Sequence, residues 1–125
     1  MIFATDILIW VQRGNEKAAT LIDKSAERYV SVYCYMELLQ AAANKKQHIV
    51  IRDFLKSYGF QVLPVSENIG YRALVYIEEY SLSTGLRAGD AIVAATAVEN
   101  NMSLATGNDK HFKAIKDLTL RIFRP

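Results

Sequence analysis

The chain has one cysteine, Cys34, and two histidines, His48 and His111, among 125 residues. A lone thiol excludes an internal disulfide and a cysteine-based zinc cage, and it gives redox chemistry nothing to work with. No Ser-His-Asp or Cys-His order is apparent, so both histidines read as isolated surface residues. No apolar run reaches the roughly 20 residues of a membrane-spanning helix, and no basic leader with a cleavage signal opens the chain. A cytosolic protein away from membranes is expected. A glycine-rich phosphate loop is also missing, because "TGLRAGD" has neither a strand before it nor a lysine after it. Charge of one sign is scarce too: 15 basic and 13 acidic residues leave a net +2, too little to argue for nucleic acid alone. If several acids converge in one pocket, however, the remaining surface is more basic than that figure.

What is present suits one globular domain over residues 1–125, with 51% hydrophobic and 22% charged residues. Short apolar stretches alternate with helical patterns. Strands are expected at about 2–5, 28–32 ("RYVSV"), 60–65 ("FQVLPV"), 103–106 ("SLAT") and 118–123 ("LTLRIF"). Between them, helices are expected at about 15–26, 33–44, 46–59, 66–83, 90–101 and 108–115, with "TGLRAG" as a loop. The seven tyrosines are scattered and read as core or interface filler. Such interleaving predicts a three-layer α/β/α arrangement on a mostly parallel sheet of about five strands. In such sheets ligands bind beyond the carboxyl ends of the strands.

Acids stand at several of those ends. Asp6 follows the first strand, Asn108 and Asp109 follow the fourth, Asp90 opens the alanine-rich helix, and Glu37 sits within "YMELLQAAA". Three carboxylates and an amide converging on one edge repel one another unless cations neutralise them, and hard oxygen ligands without Cys or His suit Mg²⁺ or Mn²⁺. Each acid also has a plain structural use. Asp6 can cap a helix beginning at Ile7, Asn108 or Asp109 can cap "KHFKAI", and Asp90 can serve the start of its helix. Glu37 is harder to dismiss, since apolar neighbours imply a covered helix in which a lone glutamate needs a partner.

The blocks "MIF" followed by "ATDILIW", "SVYCYMELLQ", "LRAGDAIVAATAVENNMSLATGNDKHF" and "LTLRIF" resemble a PIN domain, and within that superfamily the VapC-type toxins of toxin–antitoxin pairs. The resemblance spans essentially the whole length, and the third block is its most specific part. It implies a metal-dependent ribonuclease in which three or four acidic positions hold Mg²⁺ or Mn²⁺. By the same resemblance, Glu37 and Asp90 are metal ligands and the fourth catalytic position falls on Asn108, with Asp109 as the near alternative. Thr5, Asp6 and Thr106 are supporting residues. The family's first block is an aspartate, a Thr or Ser, then an Asn or Asp. Thr5 and Asp6 match its second and third places, and Ala4 stands where the first acid belongs.

Two readings of Asp6 remain open. Residues two apart on a strand share a face, so positions 4 and 6 would both look into the crevice while Thr5 points away. Asp6 then braces the ligands, or, on a shifted alignment, is itself the first ligand. Arg87, Lys110 and Lys113 are candidates for phosphate contact, with solubility as their other explanation. The function expected is RNA phosphodiester hydrolysis, impaired by Ala4. The alternative is a module that grips antitoxin or RNA without cutting, through helices carrying Tyr33, Tyr35, Phe54 and Tyr58. The resemblance further implies a homodimer and a cognate antitoxin that inserts a basic side chain into the acid cluster.

Overall fold

The computed structural model describes all residues from Met1 to Pro125. In chain order the elements are β1 (Ile2–Phe3), α1 (Thr5–Gln12), α2 (Glu16–Asp23), β2 (Tyr29–Ser31), α3 (Val32–Ala41), α4 (Lys45–Ser57), β3 (Gln61–Leu63), α5 (Glu67–Thr84), α6 (Ala88–Glu99), β4 (Leu104–Thr106), α7 (Asp109–Phe112) and β5 (Leu120–Ile122). The five strands form one sheet in the order β3-β2-β1-β4-β5, and every pairing is parallel. The three-layer α/β/α expectation holds. No helix is long and apolar enough to cross a membrane.

Local chemistry accounts for the helix ends. Asn15, Ser31, Asn44 and Ser66 each accept a backbone N–H from the first turn of α2, α3, α4 and α5. Gly85 ends α5 in the left-handed region at φ 78°, where its N–H reaches Ser81 O and a side chain would be strained. α6 is the most enclosed helix, with Ala91, Val93, Ala94, Ala95, Thr96 and Ala97 all buried. Its run of alanines lets α5 approach closely, while Thr96 Oγ1 satisfies itself on Ile92 O at 2.7 Å.

β1 is central and fully buried, and its exit sets the geometry of the site. The strand stops at Phe3, and Ala4 is the N-cap of α1, with extended backbone and a ladder-like bond from its N–H to Ala105 O at 3.0 Å. Thr5 and Asp6 are therefore helical. This corrects two expectations: strand alternation does not relate positions 4 and 6, and Asp6 does not cap a helix starting at Ile7. At the other boundary α6 begins at Ala88, so Ala88 and Gly89 belong to the helix and Asp90 sits in its first turn.

Candidate functional site

The exits of β1, β2 and β4 and the start of α6 enclose a cleft of about 380 Å³ at the carboxyl edge of the sheet. Ala4, Thr5, Asp6, Glu37, Asp90 and Asn108 all line it, together with Tyr33 and Cys34. Each has a definite bonding state. Thr5 does not point away: as the first residue of α1 it donates from Oγ1 to Glu37 Oε1 at 2.8 Å. That bond answers the question Glu37 raised in the sequence, and it leaves Oε2 without a protein partner. Asp6 spends both oxygens on the turn after β4, accepting from Gly107 N at 2.7 Å and from Thr106 Oγ1 at 3.1 Å. Thr106 in turn accepts from Asn108 N at 3.2 Å.

Asp90 uses one oxygen twice. Its Oδ2 accepts from Arg87 N at 3.2 Å and lies 2.9 Å from His111 Nδ1, while Oδ1 stays free of protein contacts. Asn108 caps α7 by accepting from His111 N at 3.4 Å, and its Nδ2 is 3.1 Å from the same His111 Nδ1. One ring nitrogen thus faces both a carboxylate and an amide donor. The carboxylate bond is charge-assisted and the stronger, so Nδ1 carries the proton and donates to Asp90. His111 is therefore no isolated surface residue. Its side chain is 24% exposed and it holds a site carboxylate.

Of the remaining candidates, Asp109, Lys110 and Lys113 lie outside the cleft. Asp109 pairs with Arg124 at 3.3 Å, and hydrogen bonding to that guanidinium holds its carboxyl below the usual range. Lys110 and Lys113 are exposed and do not line the cleft, whereas Arg87 stands on its rim. Asp6, Glu37 and Asp90 and the Asn108 amide do line one cleft, but not all of them are free to take up a cation. Nowhere do three His, Cys, Asp or Glu side chains gather as a metal cage. Asp6 is turned into the β4–α7 turn, Asp109 is held by Arg124, and position 4 offers only a methyl group. Two free carboxylate oxygens remain, on Glu37 and Asp90. That donor set fits Mg²⁺, which is often held by one or two carboxylates with water and phosphate completing its shell.

The walls are built by packing. Burial pushes the Cys34 thiol up to about 11, so it remains protonated and a poor nucleophile. Tyr33 lies directly on Gly89, where a Cβ would overlap its hydroxyl and ring edge. Burial, with Glu37 nearby, raises its phenol pKa. Gly89→Ala is expected to cost about 1–3 kcal/mol by forcing the ring aside. In a thermal-melt double-mutant cycle, Tyr33→Ala should remove most of that cost.

The sequence matches the PIN domain family over residues 1–118. The chain belongs to the PIN-domain family. Solved structures agree with this. The PIN fold here is similar to a chain of a toxin–antitoxin complex from Klebsiella pneumoniae, at 28% identity, 94% coverage of each chain and a TM-score of 0.80. It is also similar to a chain of VapBC-1 from nontypeable Haemophilus influenzae, at 24% identity, 98% coverage of each and a TM-score of 0.80. A chain of VapBC2 from Rickettsia felis, bound to a promoter DNA fragment, matches at 21% identity over 99% of this chain and 100% of that one, with a TM-score of 0.80. The last two speak to fold alone. No curated protein sequence matches. The resemblance to a PIN domain read from the sequence is borne out, while the bond of Thr5 to Glu37 and the contact of His111 with Asp90 are visible only in the folded chain.

Proposed function

We propose that this PIN domain is the toxin of a toxin–antitoxin pair, a divalent-metal-dependent endoribonuclease whose site is impaired by Ala4. The supporting observation is that Glu37 of α3 and Asp90 of α6 face one cleft beyond β1, each with an oxygen free of protein contacts. Mg²⁺ or Mn²⁺ would be held by those two carboxylates and would supply a water of lowered pKa and countercharge for the phosphate. The chain's own groups do the rest. Thr5 fixes the Glu37 carboxylate, while His111 and the Arg87 N–H fix that of Asp90. Ala88 and Gly89 line the cleft at the start of α6, where first-turn amides lack intrahelical partners and favour a phosphate oxygen. Arg87 adds a cation at the rim, and Lys110 and Lys113 stand nearby for flanking phosphates. A cytoplasmic site of action goes with an RNA substrate.

RNA cleavage in Mg²⁺ or Mn²⁺ against chelator tests the reading. Weak divalent-dependent cleavage that Glu37→Gln and Asp90→Asn abolish supports it. Cleavage that survives either substitution overturns it. His111→Leu removes one bond to Asp90, and is expected to weaken Mn²⁺ binding about 10–100-fold, the usual effect of losing a group that orients a ligand. Calorimetric titration checks this, with a melt confirming that the fold is retained.

The non-catalytic alternative draws on a second groove. It measures about 790 Å³, is lined by Ile9, Val11, Leu38, Val50, Phe54 and Tyr58, and shares Thr5 and Glu37 with the acidic cleft. An amphipathic antitoxin segment seated there would bring a basic side chain within reach of Glu37. In a homodimer, the exposed Tyr71, Leu74, Val75 and Leu82 of α5 are the apolar residues most in need of cover. Absence of Mn²⁺ binding even after Ala4→Asp would favour this alternative over catalysis.

A further inference from the structure

A third groove, of about 690 Å³, runs between α2 and the edge strand β5 and has no part in the site above. On α2 and its C-cap, Lys17, Thr20, Leu21 and Lys24 recur at helical spacing and line it, while Ala18 and Ile22 of the same helix are buried in the core. Arg121 and Arg124 face it from β5 and the segment that follows. The groove therefore holds four cations, Lys17, Lys24, Arg121 and Arg124, against one acid, Glu27. That local excess of three exceeds the net +2 of the whole chain. Lys17, Lys24 and Arg121 have no ion-pair partner within 4.0 Å, so their charge is not neutralised within the protein.

The groove shares no lining residue with the acidic cleft, but Arg124 reaches from it toward that cleft. Arg124 donates to Gly107 O at 2.8 Å and pairs with Asp109, and these residues flank Asn108, which lines the cleft. We propose that the α2–β5 groove binds the phosphate backbone of an RNA strand whose continuation passes the cleft. This rests on the nuclease reading of that cleft. Hydroxyls of Thr20 and Ser103 add phosphate-compatible donors, whereas that of Ser25 is spent on Leu21 O, and the one lining aromatic, Phe123, is buried. With no ring on which to stack bases, the groove recognises phosphates regardless of sequence and adds reach to the site without choosing where it cuts.

The test is fluorescence anisotropy with a labelled uridine oligonucleotide in chelator, where no metal-dependent cleavage interferes. Lys17, Lys24 and Arg121 are all exposed, so the triple alanine variant should keep its melting temperature. Each phosphate contact on a single strand contributes about 0.7 to the slope of log affinity on log salt, so the triple variant should lose about 2 from that slope and bind about tenfold or more weakly at low salt. An unchanged slope and affinity overturns the groove proposal and leaves the nuclease reading intact. Equal loss of polyglutamate binding, at equal starting affinity, also overturns it by identifying an acidic polypeptide as the occupant. Should the oligonucleotide bind through the groove while Ala4→Asp still cuts nothing, the groove stands and the nuclease reading falls.

Discussion

Replacing Ala4 with aspartate is expected to raise Mg²⁺- or Mn²⁺-dependent RNA cleavage by at least about 100-fold, since losing even a group that merely orients a metal ligand costs 10–100-fold. Position 4 is suited to the change. Its backbone is already extended as the N-cap of α1, and it is 8% exposed on the wall of the cleft. An aspartate there gains an N-cap bond that alanine cannot make, worth about 1 kcal/mol. It also brings a third negative charge toward Glu37 and Asp90, which opposes that gain until a cation binds. The variant should therefore show little change in melting temperature in chelator and a clear rise on adding Mn²⁺. The unsubstituted chain should respond far less. Activity assays and melts on the two proteins side by side check both parts.

Asp6 is expected to behave differently from a ligand. Its two oxygens anchor Gly107 N and Thr106 Oγ1, so Asp6→Ala leaves a part-buried amide and hydroxyl without their acceptor and should cost about 2 kcal/mol or more. Asp6→Asn is the discriminating variant. Its carbonyl can still accept from Gly107 N while its amide donates to the Thr106 hydroxyl, which can act in either direction. On an Ala4→Asp background, Asp6→Asn should retain most of the fold stability and lose about tenfold in Mn²⁺ affinity, as for a group acting through its neighbours. Loss of all Mn²⁺ binding with the fold intact would instead make Asp6 the first ligand, as the shifted alignment holds. Calorimetry and thermal melts on the two variants separate these outcomes.

The parts of the fold that were legible in the sequence are those with a strong local signal. The alanine-rich helix, the end of α5 in the "TGLRAG" loop and the cap at Asn108 depend on side chains acting within a few residues of themselves. The exit of β1 was misread because a two-residue strand carries no alternation to extrapolate, and α1 begins two residues earlier than the run of apolar residues suggests. Asp6 thus resembled a helix cap when its partners are Thr106 and Gly107, brought beside it only by the pairing of β1 with β4.

His111 illustrates the same limit. In the chain it has no catalytic neighbour at a telling spacing, and its contact with Asp90 exists because α6 and α7 pack together. The one local hint was the position of "DKHF" directly after the β4 exit, where short helices can turn side chains back over the sheet edge. Lys17 and Arg121 were likewise unremarkable cations until α2 and β5 placed them across one groove. Element order placed Glu37 and Asp90 among several acids beside the strand ends, and the resemblance to PIN domains singled them out as ligands. The free oxygens that distinguish them from Asp6 and Asp109 are a property of the folded chain alone.

Titration calorimetry with Mn²⁺ tests the central claim most directly, comparing the chain as it stands, Ala4→Asp, and Ala4→Asp with Asp90→Asn. A cleft that is one carboxylate short should bind weakly in the first protein, about 100-fold or more tightly in the second, and weakly again in the third. Equal affinity in the first two proteins would contradict it, and so would tight binding that outlasts the loss of Asp90.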